Sequence, residues 1–116
     1  MFMNIKIVRD KITKSELEEL AKEFYVEMVK GVADIERDII ALGGEWHIDA
    51  NSILIEDGSK QNNLWGFNIY LNKPKESRLE YNSLINIRPK QGNRNMEIEN
   101  EEIKNKIFDI VNKLVE

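Results

Sequence analysis

Between Leu64 and Asn72 the side chains alternate, with Trp65, Phe67, Ile69 and Leu71 on one side and Asn68, Tyr70 and Asn72 on the other. A period of two belongs to a β-strand, whose successive residues face opposite ways. One such face is strongly apolar, so the strand needs a sheet around it and a layer packed against it. At 116 residues and 41% hydrophobic, the chain has the size and composition of one domain with one core. The expectation is a single domain over residues 1–116.

Other segments supply the remaining layers. Ile5 to Arg9 reads as a first strand, and Thr13-Lys14-Ser15-Glu16 fits the capping box that opens a helix. Leu17, Leu20, Ala21, Phe24, Met28, Ile35, Ile39 and Leu42 then recur at steps that are mostly three or four, which predicts one long acidic helix over 14–42 ended by Gly43-Gly44. Glu45 to Asp49 and Ser52 to Glu56 read as two short strands around a turn at Asn51. Pro74 closes the long strand, and Leu79 to Ile87 reads as the last one, ended by Pro89. Asn100 with Glu101-Glu102 caps a C-terminal helix packed through Ile103, Ile107, Ile110, Val111 and Leu114. The order β-α-β-β-β-β-α predicts an α+β fold: a mostly antiparallel sheet of about five strands with both helices on one face.

Composition removes several classes of function. There is no cysteine, hence no disulfide scaffold, thiol chemistry or thiolate zinc site, and the single histidine removes multi-histidine metal centres. The start, Met1-Phe2-Met3-Asn4-Ile5-Lys6, lacks the apolar stretch of a signal peptide, and no apolar run approaches a membrane span. A cytoplasmic protein without membrane contact is expected. The formal charge of −4 argues against nucleic acid as a partner. Charge is uneven, however: residues 73–95 carry six bases against two acids, while residues 14–42 carry four bases against eight acids. A basic segment on an acidic protein suits a small anion.

Strand parity places the polar residues together. If Trp65 and Ile69 face the helices, the opposite face carries Glu45, His47 and Asp49 from one strand, Asn68 and Tyr70 from the next, and Asn82, Asn86 and Arg88 from the last. Asparagine is disfavoured in strands because its amide competes for backbone hydrogen bonds, so three on one face ask for a reason. A ligand platform is one, and an ordinary solvated sheet face is the other. Two loops flank this face. One is Gly58 to Asn63, which contains Gln61 and leads to Gly66, where glycine permits close backbone approach. The other is Arg88-Pro89-Lys90-Gln91-Gly92-Asn93-Arg94, where Arg88 and Arg94 can clamp a carboxylate or phosphate and Gly92-Asn93 can turn N–H groups to one side. Neither matches a P-loop or a dinucleotide fingerprint. Glu45, His47 and Asp49 at i, i+2 and i+4 would let a carboxylate orient His47 as a general base. Nothing in the sequence assigns a cofactor or a metal.

The motifs Gly58-Ser59-Lys60-Gln61-x-x-Leu64-Trp65-Gly66-x-Asn68-x-Tyr70 and Ile85-Asn86-Ile87-Arg88-Pro89-x-x-Gly92-Asn93-Arg94 resemble an uncharacterised family of short prokaryotic proteins, a domain of unknown function. The likeness runs from the first strand to the last helix and implies no activity. Three functions remain. The first is a binding module holding a small polar or anionic ligand with Arg88, Arg94, Asn68, Asn86, Tyr70, Gln61 and Asn93 near His47. The second is a small hydrolase or isomerase using His47 with Asp49 or Glu45. The third is an interaction module that forms a homo-oligomer through the acidic helix 14–42.

Overall fold

The computed structural model describes residues 4–116; Met1-Phe2-Met3, part of the segment lacking signal-peptide character, lies outside the described residues. Strand β1 (Ile5–Val8) leads to helix α1 (Lys14–Lys22), opened by the expected capping box. The Thr13 hydroxyl accepts from Glu16 N–H at 3.1 Å while the Glu16 carboxylate accepts from Thr13 N–H at 3.1 Å. After only nine residues α1 stops. Val26 takes a left-handed φ of 65° and turns the chain into strand β2 (Met28–Asp34), which pairs with β3 (Ile39–Gly43) as a hairpin.

The long helix over 14–42 is therefore corrected to one short helix and two strands, and no acidic helix surface of that length exists for a partner. Burial on both faces of the sheet explains the misleading pattern. Ile39-Ile40-Ala41-Leu42-Gly43 is buried throughout, and a continuous apolar run does not reveal whether its period is two or 3.6. Gly31, which fell on the supposed helical stripe, instead faces Phe67 across the β2–β4 pair, where a Cβ would strike the Phe67 ring.

The sheet has five strands in the order β1-β3-β2-β4-β5, every pair antiparallel, with β4 at Leu64–Tyr70 and β5 at Leu79–Glu80. With three helices it is the α+β fold that the sequence predicts. Trp65, Phe67 and Ile69 face α1 and the C-terminal helix α3 (Glu101–Leu114), joining Leu17, Ile107, Val111 and Leu114 in the larger core cluster.

The second face is not free of helices. Residues 47–56, expected as two strands, form helix α2, whose Ala50 and Leu54 pack on Val32, Ile39, Ala41 and Leu64. Its buried stripe is His47, Ala50, Asn51 and Leu54, a helical spacing in which two members are polar, so hydrophobic periodicity could not report it. The order is thus β-α-β-β-α-β-β-α, with helices on both faces. The last strand is also shorter than expected: only Leu79–Glu80 pairs with β4, and residues 82–99 form irregular chain with two single-turn 3-10 helices, Leu84–Asn86 and Pro89–Gln91. Among the described residues no helix is long and apolar enough to cross a membrane.

Candidate functional site

The asparagines and arginine of the expected platform hold backbone together. Asn86 is fully buried, and its amide replaces a strand partner for Gly66: Oδ1 accepts from Gly66 N–H at 2.8 Å, and Nδ2 donates to Gly66 O at 3.0 Å. Nδ2 also donates to Met96 O at 3.1 Å. Gly66 lacks a side chain for a steric reason, since a Cβ would lie 2.6 Å from that of Ser83. Asn93 is a second hub, donating to the carbonyls of Asn86, Asn95 and Glu97 and accepting from Glu99 N–H. Gly92, at φ 82°, closes the turn that lets Arg88 and Asn93 exchange backbone hydrogen bonds.

Arg88 stacks on the Trp65 ring, its guanidinium carbon 3.9 Å from the ring centre, and donates to the carbonyls of Gln61 (2.7 Å) and Leu64. Gln61 exchanges side-chain hydrogen bonds with Asn51 of α2 at 2.8 and 2.9 Å. Of the six bases in the basic window, Arg88 is therefore bound to carbonyls. So is Arg78, which donates to Val115 O and Glu116 O beyond α3. Arg94 lies exposed in the turn, with its backbone N–H on Glu99, and does not form a clamp with Arg88. Because Asn86 and Arg88 are bound to backbone groups, they do not share one open surface with His47 and Asn68.

What the structure does bring together is His47 with Asn68. They line a cleft of about 390 Å³ between the start of α2 (residues 46–48), Lys30 of β2, Asn68 of β4, residues 82–85 and Met96. Lys30 and Asn68 are register partners on neighbouring strands, which sets them side by side on this sheet face. Asn68 is 6% exposed, donates from Nδ2 to Glu80 Oε1 at 2.7 Å, and leaves Oδ1 buried with no donor. Tyr70 sits at the same carboxylate, its hydroxyl 3.3 Å from Glu80 Oε1.

His47 is buried at the first turn of α2, with Nε2 2.8 Å from Phe67 O. A carbonyl only accepts, so Nε2 carries the proton and Nδ1 keeps its lone pair in the neutral ring. Burial pushes the ring's pKa down to about 4, and nearby Lys30 adds to this. The Phe67 carbonyl, Asn68 and Glu80 act the other way and are outweighed. The imidazole is therefore neutral at pH 7. Neither expected carboxylate contacts it. Asp49 Oδ2 accepts from Trp46 N–H at 2.9 Å, capping α2, while Glu45 is exposed and its backbone carbonyl accepts from the Tyr25 hydroxyl. His47 and Asp49, two apart on a helix, point about 200° apart, and Glu45 precedes that helix, so the one-face geometry of Glu45, His47 and Asp49 is corrected.

Lys30 is the residue that sequence reasoning missed. Its ammonium is half-buried, 5.1 Å from the centre of the Tyr25 ring, and burial lowers its pKa. Among the described residues it has no carboxylate within ion-pair distance. The available signal was a lone base inside the apolar stretch Met28-Val29-Lys30-Gly31-Val32-Ala33, hidden while that stretch was read as helix.

Residues 6–114 match the family described as Protein of unknown function (DUF5674). The chain belongs to the DUF5674 family. That match spans β1 through α3, so the family unit is the whole sheet with its three helices. No curated protein and no solved structure matches the chain.

Proposed function

We propose that this DUF5674 protein is a binding module that holds a small anionic ligand in the cleft beside His47. One observation carries the reading: Lys30 presents a half-buried cation with no carboxylate within ion-pair distance among the described residues, Glu80 acting on it only from farther off, in a concave site beside Asn68 and His47. An ammonium partly removed from water gains from an anion more than an exposed one does, because the surrounding dielectric is lower. The first turn of α2 adds its positive dipole end, and His47 Nδ1 can accept only from a hydroxyl or N–H that the ligand carries beside its charged group. Arg88, Asn86 and Asn93 support the cleft wall through backbone carbonyls and are not ligand contacts in this reading.

The acid–base alternative keeps only His47. A ring with a pKa of about 4 is a weak base at neutral pH, and no carboxylate orients it, so binding is favoured over hydrolysis or isomerisation.

The test is a thermal-shift panel of monocarboxylates, inorganic phosphate and nucleoside monophosphates. At least one anion raises the melting temperature of the wild type by several degrees and leaves Lys30→Met unmoved. Arg88→Ala melts lower than the wild type but keeps the ligand-induced rise. A rise that survives Lys30→Met and vanishes in Arg88→Ala would return the site to the arginine loop.

A further inference from the structure

The apolar residues around Lys30 narrow the class of anion. Trp46 (60% exposed), Ile48 (53%), Leu84 (70%) and Met96 (40%) all line this one cleft. Large exposed apolar side chains scattered singly are ordinary, but four around one concave site form a binding surface. They come from three separate segments: the start of α2, the turn after Ser83 and the chain before Ile98. No run of sequence would display them together.

The charge at the base is as informative. Among the described residues the only cationic side chain in the lining is a single ammonium, with no guanidinium, whereas phosphate is ordinarily held by bidentate arginine or by several converging N–H groups. The Glu80 carboxylate is close enough to act on both the His47 ring and Lys30, so it offsets part of the one positive charge and disfavours a second negative charge on the ligand. One cation facing an apolar mouth is complementary to one negative charge on an apolar body. From this, and resting on the cleft being the binding site, we infer that the ligand is an amphipathic monocarboxylate, with its carboxylate at Lys30 and its hydrocarbon part against Trp46, Ile48 and Leu84.

The experiment is a titration calorimetry series on the full chain with acetate, butyrate, hexanoate and octanoate, and with octanol and inorganic phosphate as controls. N-acetyl-leucyl-leucine is an additional arm representing a peptide C-terminus. Each methylene that enters the cleft tightens Kd roughly fourfold, the factor expected for burial of a CH2 group. Octanoate binds at least about tenfold tighter than octanol, and Lys30→Met removes that preference while leaving octanol unchanged. Leu84→Ser, at an exposed position that does not carry the core, flattens the chain-length dependence. Octanoate binding more tightly than the acetylated dipeptide assigns a free acid, and the reverse assigns a peptide terminus; both support the class. Phosphate binding that depends on Lys30, without chain-length dependence, overturns the carboxylate class and leaves the cleft reading standing. Absence of any binding that depends on Lys30 overturns both.

Discussion

Asn86 illustrates how a residue that looks like a ligand contact acts in the fold. It supplies the pairing that Gly66 would otherwise take from a strand, and its replacement leaves the buried N–H and carbonyl of Gly66 without that partner, while Met96 O keeps only Ser83 N–H. Asn86→Leu is expected to cost about 3 kcal/mol, measured by urea unfolding. Asn86→Asp keeps the acceptor but loses both donated bonds, and also destabilises. Val26 works in the opposite sense. A β-branched residue at φ 65° carries roughly 1 kcal/mol of backbone strain, and at 65% exposure its side chain contributes little burial. Val26→Gly is expected to raise stability by about 1 kcal/mol and the melting temperature by about 4 °C.

His47 gives a pH dependence whose sign follows from its lowered pKa. Between about 4 and 6.5 the unfolded chain binds a proton that the folded chain refuses, so stability is complete above pH 6.5 and falls as the pH drops towards 4. That gap corresponds to about 3 kcal/mol at most. Glu16, held at about 2 first by its Lys6 partner and then by Thr13, loses its contribution only below the ordinary glutamate range, so pH 5 to 6.5 isolates the histidine. Denaturation midpoints of His47→Gln are expected to change little across that interval while those of the wild type fall. A parallel fall in both would assign the titration elsewhere.

Among the elements, the β2–β3 hairpin decides the fold and was the least legible. Its turn uses Asp34, whose Oδ1 accepts from the N–H groups of Glu36 and Arg37, and Asp38 at φ 57°. Asp-Ile-Glu-Arg-Asp carries neither the glycine nor the proline by which a turn is ordinarily recognised. β4 was legible because one face is apolar and the other polar, and α3 because a polar cap precedes a clean apolar stripe. α2 was not, because His47 and Asn51 occupy its buried side for partners far away in sequence, Phe67 and Gln61. Gly31 ties β2 to β4: a Cβ there meets the Phe67 ring and, at 2.9 Å, Leu42. Gly31→Ala is expected to cost about 2–3 kcal/mol, with Phe67→Leu recovering part of it in a double-mutant cycle.

In the whole molecule, β2 and β3 sit inside the sheet with helices on both faces, whereas residues 82–96 are held mainly by side-chain amides and one stacked arginine. Hydrogen exchange is therefore expected to be slowest in β2 and β3 and faster in residues 82–96. Octanoate should slow residues 46–48 and 82–86 selectively. Uniform protection, or protection at Arg94 alone, would place the ligand elsewhere.

The sequence by itself determined the α+β class, the inward side of β4 and the two capped helix starts, since each depends on neighbours within one segment. It also marked Gly66 as a point of close approach. The tertiary structure alone decided that α2 covers the second sheet face, that Asn86 and Arg88 bind carbonyls, and that Lys30, His47 and Asn68 meet under an apolar rim. Those outcomes depend on contacts between separate segments of the chain, and a polar side chain's partner in another segment leaves no periodic trace in its own.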